Sequence, residues 1–329
     1  MFCFPIIIML IAKQSRGPPV CLRALYILPV CAVLFAYVLF IGAFLGGFVA
    51  TRIIYHHEIP KSKTLFFDYF IAFIFGMSAT LSLVSYLKCV FTNPGTSRCS
   101  GAFSYTIVQL ENAEEGQNMP NMPSFTDDND EYEDEQPMIG NDNNDNTIII
   151  ENEKKKKQQQ NNNNICKKCN LEKPIRSHHC AICNYCVLEM DHHCPWTGNC
   201  IGKYNYKYFF LFVMYGAIAC IINSIVSVPQ SSLYAIGYTF STVNMINFIS
   251  ILSIGISFSL SIFVCMHSIL ICLNTTTIEI HIYNCKRFPF RLHTIVENIK
   301  VKFGANICIW FLPISPHSDK KEGKCCVPI

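Results

Sequence analysis

Charged residues are scarce in this sequence. Asp, Glu, Lys and Arg make up 15% of the 329 residues, whereas they make up about a quarter of an ordinary globular protein. None of these four residue types occurs between Tyr208 and Leu273. A water-soluble domain needs charges on its surface, so the sequence excludes an ordinary soluble enzyme. Hydrophobic residues form 51% of the chain, and this composition indicates an integral membrane protein.

Four apolar segments are each long enough to cross the hydrocarbon core of a bilayer, which takes about 20 residues of helix. The sequence therefore predicts an α-helical integral membrane protein with four spans. The predicted spans cover residues 26–50, 65–87, 208–228 and 246–273. Only the second contains a charged residue, Asp68. It lies close to the start of the span, where we expect it to be exposed at the membrane interface.

The distribution of Lys and Arg predicts the orientation, since these residues favour the cytosolic side of a membrane. Residues 1–25 and 274–329 are basic, whereas the loop between spans three and four contains no Lys or Arg. We therefore predict a cytosolic or interfacial N-terminus, a cytosolic C-terminal tail and a cytosolic loop between spans two and three. The loop between spans one and two also holds basic residues, so taken alone it is ambiguous.

The loop between spans two and three has two parts of unlike composition. Residues 101–153 hold 14 acidic residues and no Lys or Arg, although the whole chain carries a net charge of +3. The insert at 101–164 has too little apolar surface to offset chain entropy, so we expect disorder. Residues 165–207 are instead rich in Cys and His. Basic residues lie mainly beside the apolar segments and this cluster, which favours an anionic lipid surface over nucleic acid as a partner.

Eleven candidate metal ligands fall within 35 residues of this loop: Cys166, Cys169, His178, His179, Cys180, Cys183, Cys186, His192, His193, Cys194 and Cys200. An odd number of cysteines on a cytosolic loop does not favour disulfides, because the cytosol keeps thiols reduced. Cys-x-x-Cys pairs favour closed tetrahedral zinc sites with four ligands each. Two such sites use eight of the eleven candidates. Counting alone does not decide which three are left over.

The spacing of these residues resembles the cysteine-rich domain of the DHHC protein S-acyltransferases, the palmitoyltransferases. The pattern reads Cys166-x2-Cys169-x9-His179-Cys180-x2-Cys183-x2-Cys186-x4-Asp191-His192-His193-Cys194-x5-Cys200. Flanking residues match as well: Lys173, Pro174, Ser177, Pro195, Trp196, Asn199, Asn205 and Phe209. The resemblance also covers the layout of four spans, and it implies a zinc-stapled cytosolic domain between spans two and three.

The resemblance further implies a role for each residue of the cluster. One zinc ion falls on Cys166, Cys169, His179 and Cys186, and a second falls on Cys180, Cys183, His193 and Cys200. Three residues are then left without metal: His178, His192 and Cys194. Cys194 becomes the nucleophile, His192 the base that takes its proton and Asp191 the carboxylate that orients His192. Both zinc ions are structural, because four protein ligands leave no open position on the metal.

The implied activity is protein S-palmitoyl transfer in two steps. Cys194 takes a long-chain acyl group from palmitoyl-CoA, and a cysteine of a substrate protein near the membrane then receives it. Gly216 and Ala219 share a face of span three that is expected to line the acyl-chain cavity. Lys203 and Lys207 are candidates for attracting the CoA phosphates, and interfacial anchoring is an equally good interpretation of either one.

Other residues that match the family are expected to give structural support. They are Asn93, Pro94 and Gly95 after span two, where the family has Asp-Pro-Gly, and Thr276, Thr277 and Glu279 after span four. A C-terminal motif matches more loosely at Asn298, Phe303, Gly304, Asn306 and Trp310. His267 in span four is interpreted as a hydrogen-bonded packing residue. Cys325 and Cys326 are candidates for reversible acylation, and no modification there is the alternative.

Two other classes of function compete with the transferase. A membrane-anchored zinc adaptor would use the cluster only to bind proteins, and it has no need for Asp191 and His192 beside an unligated Cys194. A transporter or channel would carry ionisable residues in its spans, yet three of the four have no charged residue. We therefore expect a multi-pass enzyme with both termini in the cytosol, in the Golgi, the endoplasmic reticulum or another endomembrane.

Overall fold

The computed structural model describes residues 20–54, 64–96, 165–226, 233–234, 237–284 and 288–316. The expected insert at 101–164, most of the N-terminal segment 1–25 and the tail cysteines Cys325 and Cys326 lie outside the described residues. The chain divides into two compact units, Met1–Gly95 with Glu189–Ile329, and Thr96–Leu188. Each unit is described by itself below.

Six α-helices lie among the described residues of the first unit. They are α1 (Val20–Phe44), α2 (Thr64–Phe91), α3 (Tyr206–Ile225), α4 (Phe240–Cys272), α5 (Thr277–Ile282) and α6 (Ile295–Phe303). A stretch of π-helix, Leu45–Ile54, continues α1. Four of these helices, α1 to α4, are long and apolar enough to cross a membrane, with mean hydropathies from 1.9 to 2.6. The prediction of a helical membrane protein with four spans is therefore confirmed.

Polar contacts help the long helices to pack. The Ser82 hydroxyl in α2 donates to the Phe212 carbonyl of α3 at 2.9 Å. Ser82 Oγ is also hydrogen-bonded to the Tyr37 hydroxyl of α1 at 2.6 Å. One small side chain thus connects three helices, which is how hydroxyl residues commonly join helices inside a membrane. Around this point the Phe44 and Phe75 rings stack with centroids 3.7 Å apart.

Asp68 does not lie where the sequence predicted. It belongs to the first turns of α2 and is only 4% exposed, so the expectation of exposure at the interface is wrong. Nearness to the start of a span indicates depth in the membrane, but it does not indicate whether other parts of the protein cover the side chain. Here they do.

A short hairpin in the same unit carries the Asp-His-His-Cys sequence. Strands β5 (His192–Cys194) and β6 (Asn199–Ile201) pair antiparallel, so that Cys194 lies opposite Asn199. A 3₁₀ turn, Pro195–Thr197, connects them. The hairpin places Asn199 against the C-terminal end of α2.

Asn199 satisfies the carbonyl groups that end α2. Its side-chain Nδ2 lies 3.2 Å from the carbonyl oxygen of Cys89, 3.3 Å from that of Val90 and 3.0 Å from that of Thr92. The last carbonyls of a helix have no partner within the helix. One buried amide therefore both caps α2 and fixes the hairpin to it.

Among the described residues of the second unit, residues 165–188 contain two further hairpins. Strands β1 (Ile165–Cys166) and β2 (Leu171–Glu172) pair antiparallel, as do β3 (His178–Cys180) and β4 (Tyr185–Val187). Such short strands bury little apolar surface. A unit of this kind needs another source of stability, and bound metal is the usual one in small cysteine-rich domains.

The contact between the hairpin and α2 gives a first prediction. Asn199→Asp keeps the shape of the side chain but replaces the donor with a carboxylate facing carbonyl oxygens. We expect it to lower the free energy of unfolding by about 1–3 kcal/mol, the cost of leaving buried polar groups unsatisfied. Thermal unfolding of the detergent-purified protein measures this. Asn306→Asp is the matched control, because the exposed Asn306 accepts a hydrogen bond from the Cys308 N–H, which a carboxylate can also accept.

Candidate active site and metal-binding groups

Among the described residues, two groups of four Cys and His side chains could each hold a metal ion. The first group lies wholly within the second unit and consists of Cys166, Cys169, His179 and Cys186. His179 Nδ1 lies 3.1 Å from Cys169 Sγ, 3.7 Å from Cys166 Sγ and 3.9 Å from Cys186 Sγ. Ligands on a tetrahedral zinc ion are about 3.6 Å apart, so these separations fit one.

The backbone brings the cysteines of each Cys-x-x-Cys pair to the same place. An Asn follows each pair, and Asn170 and Asn184 have positive φ angles of 53° and 57°. Asn tolerates this left-handed conformation better than most residues do. The Asn170 N–H donates to the Cys166 carbonyl and the Asn184 N–H to the Cys180 carbonyl, both at 2.8 Å. The same tight turn therefore recurs in both pairs.

The second group consists of Cys180, Cys183, His193 and Cys200. In the second unit, the Cys183 N–H lies 3.4 Å from Cys180 Sγ, as expected inside a Cys-x-x-Cys turn. In the first unit, His193 and Cys200 are opposite each other on the β5–β6 hairpin, with His193 Nδ1 3.6 Å from Cys200 Sγ. The ligand set that the resemblance implies is the same as these two groups. Cys194 and His192 belong to neither.

Asp191 is the most constrained side chain of the candidate active site. It is 0% exposed, and its Oδ2 accepts a hydrogen bond from His192 Nδ1 at 2.7 Å. Its Oδ1 accepts another from the Thr277 N–H at 2.9 Å, and the Thr277 hydroxyl donates to the Asp191 carbonyl oxygen. Thr277 is the first residue of α5, and the start of a helix favours an anion. The carboxylate is thereby held between the hairpin and α5.

Electrostatics favour a charged cysteine–histidine pair. Burial disfavours the charged form of Asp191, but the hydrogen bond and charge of His192 outweigh it and lower the pKa of the carboxyl. Burial also disfavours imidazolium, yet hydrogen bonds to Asp191 and Cys194 raise the pKa of His192 to about 9. For Cys194, burial opposes ionisation, and the hydrogen bond with His192 outweighs it, so the pKa of the thiol falls below its ordinary value.

The Cys194 thiol lies at the edge of an apolar core. It is buried together with Phe209 and Leu211 of α3 and Ile271 of α4. Phe209 also meets His192 edge to face, with ring centroids 5.1 Å apart. A thiol that can ionise therefore borders hydrocarbon surface, which suits a reactant with a polar reacting group and an apolar chain.

Residues 159–284 match the family model for DHHC palmitoyltransferase. This part of the chain is similar to the DHHC palmitoyltransferases. The chain is 35% identical over 166 residues to probable protein S-acyltransferase 13 of Arabidopsis thaliana, covering 48% of this chain and 54% of that protein. It is 42% identical over 163 residues to probable protein S-acyltransferase 15 of the same plant, covering 45% and 63%.

A similar match is found outside plants. Palmitoyltransferase ZDHHC15 of Rattus norvegicus is 34% identical over 156 residues, which cover 45% of this chain and 46% of that protein. The chain thus spans about half the length of the curated relatives it matches. The family resemblance inferred from the cysteine and histidine spacing is confirmed.

The segments Asn93–Gly95 and Thr276–Glu279 have defined local roles. Asn93 Oδ1 accepts a hydrogen bond from the Gly95 N–H at 2.9 Å, which an Asp would do equally well. Gly95 has a φ of 102°, a conformation that favours glycine, and the Pro94 carbonyl accepts from the Tyr204 N–H at 3.3 Å. Thr276 and Glu279 form a reciprocal capping box that starts α5. The box places Thr277 against Asp191.

The two small residues expected to line an acyl-chain cavity have different neighbours in the structure. A Cβ atom on Gly216 would lie 3.3 Å from Ser82 Oγ and 3.5 Å from Leu260 Cδ1. Ala219 instead packs beside the Phe44 and Phe48 cluster at the end of α1. Gly216 therefore allows α2 and α4 to approach α3 closely. Ala219 lies three residues further along α3.

Lys207 is not available to a ligand. It is buried, and its ammonium donates to the carbonyl oxygens of Ile309 at 2.7 Å and Ile314 at 3.0 Å. Neither CoA attraction nor interfacial anchoring fits this position. Lys207 instead ties α3 to the segment after α6.

The sequence did not indicate a further contact, in which the Tyr86 hydroxyl donates to the Trp196 carbonyl at 3.0 Å. A tyrosine in an apolar helix carries no pattern that predicts its partner.

Metal content gives the second prediction. We expect two bound metal ions per chain, measured by plasma mass spectrometry of the purified protein. Cys169→Ser removes a ligand of the first group, so it should lower the content by at least one ion and lower the melting temperature. Cys194→Ser should retain both ions, because Cys194 belongs to neither group. Loss of metal from Cys194→Ser would show that the ligand assignment is wrong.

Proposed function

We propose that this chain is a protein S-acyltransferase that moves a long-chain fatty acyl group from acyl-CoA to cysteine thiols of other proteins. The observation that carries the proposal is a buried Cys194 outside both metal groups, hydrogen-bonded to His192, whose other nitrogen is held by Asp191. The DHHC domain and the names of the relatives support the same activity.

The two metal groups fit zinc. Each supplies three Cys and one His, a donor set typical of closed structural zinc sites. Cys166, Cys169, His179 and Cys186 would hold one ion, and Cys180, Cys183, His193 and Cys200 the other. Zinc would supply structural stability and no Lewis-acid chemistry here, because four protein ligands leave no position for a substrate.

In the first half-reaction, Cys194 becomes acylated. The Cys194 thiol gives its proton to His192 Nε2, the nitrogen that Asp191 does not engage. The Cys194 thiolate then attacks the carbonyl carbon of the acyl-CoA thioester, so that a new C–S bond forms and the bond to the CoA sulfur breaks. The departing CoA thiolate takes the proton from His192 and leaves as free CoA.

In the second half-reaction, a substrate thiol replaces CoA. The incoming thiol gives its proton to His192 and attacks the acyl carbon, and the bond to Cys194 Sγ breaks. Cys194 recovers the proton from His192, and the enzyme returns to its starting state. Asp191 holds the imidazole in the tautomer that both steps need, as the carboxylate does in other triads.

The surroundings of Cys194 suit these substrates. The apolar side chains of α3 and α4 beside Cys194 provide a surface for the acyl chain, and we place Gly216 and Ala219 along its course. Lys203 is the remaining candidate for attracting CoA phosphates. The substrate proteins present cysteines close to the bilayer, both termini face the cytosol, and the enzyme resides in the Golgi, the endoplasmic reticulum or another endomembrane. Nucleic acid has no role.

The third prediction tests the nucleophile. Purified protein is incubated with a clickable palmitoyl-CoA analogue, and label that hydroxylamine removes is measured on the enzyme and on an added thiol substrate. Cys194→Ser should abolish both labels. Cys308→Ser is the matched control, because Cys308 is exposed and distant in sequence from the DHHC motif, and it should label like wild type. Full labelling and transfer by Cys194→Ser would contradict the proposed function.

The fourth prediction concerns Thr277. Thr277→Val keeps the size of the side chain and the backbone N–H that bonds Asp191 Oδ1, but it removes the hydroxyl that bonds the Asp191 carbonyl. Loss of one such hydrogen bond should slow autoacylation by about two- to tenfold. Thr242→Val removes a hydroxyl from an exposed pair near the start of α4 and should leave the rate unchanged. Equal rates for the two variants would show that Thr277 does not position Asp191.

A further inference from the structure

His192 has a second support besides Asp191. The His267 ring in α4 lies 6.2 Å from the His192 ring between centroids. Phe209 meets both histidines edge to face, with centroids 5.1 Å from each. Asp191 bonds the imidazole at Nδ1, and His267 with Phe209 limits the ring from another direction. The orientation of the His192 ring therefore depends on the position of the His267 ring.

Tyr206 determines the position of the His267 ring. Its hydroxyl is hydrogen-bonded to His267 Nδ1 at 2.9 Å. Tyr206 is 1% exposed and His267 is 2% exposed, so water does not compete for this bond. The two residues belong to different helices, α3 and α4. A buried hydrogen bond without a competing partner fixes the histidine ring more firmly than apolar packing alone, because it specifies one orientation of the ring.

Lys302 of α6 connects to the other side of Tyr206. The Lys302 ammonium lies 5.2 Å from the centroid of the Tyr206 ring and 2.5 Å from Glu189 Oε2. Lys302 is 4% exposed. A buried ammonium is costly unless it is paired, and here it has both a carboxylate and the face of an aromatic ring. Glu189 lies two residues before Asp191.

Glu189 also has an unusual backbone. Its φ is 44°, in the left-handed region that residues other than glycine seldom adopt. The ion pair with Lys302 holds this residue in place, and the chain continues from it through Met190 to Asp191. Lys302 is thus linked to His192 by two routes, through Glu189 along the chain and through Tyr206 and His267 across the core.

We propose that Tyr206, His267 and Lys302, with Glu189 as the counter-ion, form a buried brace that positions His192 against Cys194. These four residues are called the brace below. None of them touches the reacting atoms, so they are positioning residues. The brace rests on the proposed function for its catalytic consequence. It makes the acylation rate depend on α6, which lies about a hundred residues after the motif.

Polar groups at these positions are not what packing alone would select. Replacing a buried ion pair by apolar residues is often neutral or stabilising. A carboxylate, an ammonium, a phenol and an imidazole in one buried chain of contacts therefore call for a role besides stability. Orientation of the catalytic imidazole is that role, since a displacement of about 1 Å at a reacting group can slow a reaction a hundredfold.

Tyr206→Phe is the sharpest test. It removes the hydroxyl that bonds His267 and keeps the ring beneath the Lys302 ammonium. We expect the first-order rate of Cys194 acylation at saturating palmitoyl-CoA to fall about tenfold, with the KM for palmitoyl-CoA unchanged. Zinc content should stay at two per chain. Tyr215→Phe is the matched control, since Tyr215 also lies in α3 and donates to the Phe311 carbonyl at 2.6 Å, and it should acylate like wild type.

A double-mutant cycle separates a brace from independent packing. If His267 acts on His192 through its bond with Tyr206, Tyr206→Phe with His267→Phe should be no slower than the slower single variant. Independent effects would multiply instead. Multiplied losses, or a wild-type rate for Tyr206→Phe, would overturn the proposal.

A double variant that lacks both charges tests the ion pair between Lys302 and Glu189. Glu189→Gln alone leaves an unpaired buried ammonium and is expected to destabilise the protein, so its lost activity would be ambiguous. Lys302→Met with Glu189→Gln removes both charges. This pair should retain two zinc ions and a melting temperature near that of wild type, yet show a several-fold slower acylation. Full activity of a stably folded pair would exclude Lys302 and Glu189 from the brace.

A measurement that does not depend on acyl transfer distinguishes failure of the brace from failure of the proposed function. Iodoacetamide alkylation of Cys194, followed by peptide mass spectrometry at one pH, reports on the pairing of this thiol with His192. Tyr206→Phe should slow it, and Tyr215→Phe should not. If wild type takes no acyl group, the proposed function fails, and slower alkylation of Tyr206→Phe would still support the brace. Unchanged alkylation would overturn the brace whatever the acylation result.

Discussion

The candidate active site depends on how a fully buried carboxylate is satisfied. Asp191 has no access to water, and an uncompensated charge at such a position would be strongly destabilising. Its partners are the adjacent His192, the first residue of β5, and Thr277 at the start of α5. The capping box that starts α5 fixes Thr277, so a helix that follows the last span decides the orientation of a side chain on the hairpin. Asp191 can therefore take its orientation on the hairpin only when α5 has folded.

The rest of the first unit holds the hairpin from several sides. Asn199 joins it to the end of α2, and the Tyr86 hydroxyl of the same helix reaches the Trp196 carbonyl in the turn. Phe209 of α3 packs on the His192 imidazole. A site supported by regular helices keeps its geometry better than one carried by loops alone. Short strands that bury little apolar surface can thus present three reactive residues at fixed separations.

Much of this arrangement could be predicted from the sequence, and the exceptions have physical reasons. Hydropathy predicts four spans because each apolar run is long enough by itself. The ligand sets are those that the family resemblance implies for the cysteines and histidines within 35 residues of the sequence. Hydropathy does not show what covers Asp68, nor that the Lys207 ammonium meets two backbone carbonyls. The bond between Tyr206 and His267 joins residues of two apolar helices, and no local pattern relates them.

The apolar surroundings of Cys194 oppose the ionisation that the proposed reaction needs. In the proposed reaction, the thiol that accepts an acyl chain borders apolar surface, which opposes ionisation, whereas attack on a thioester needs the thiolate. Hydrogen bonding to His192 resolves this conflict, since it lowers the pKa of Cys194 despite burial. The imidazole can do so only while Asp191 engages its other nitrogen. The same buried carboxylate that constrains the fold therefore allows a cysteine to react at an apolar boundary.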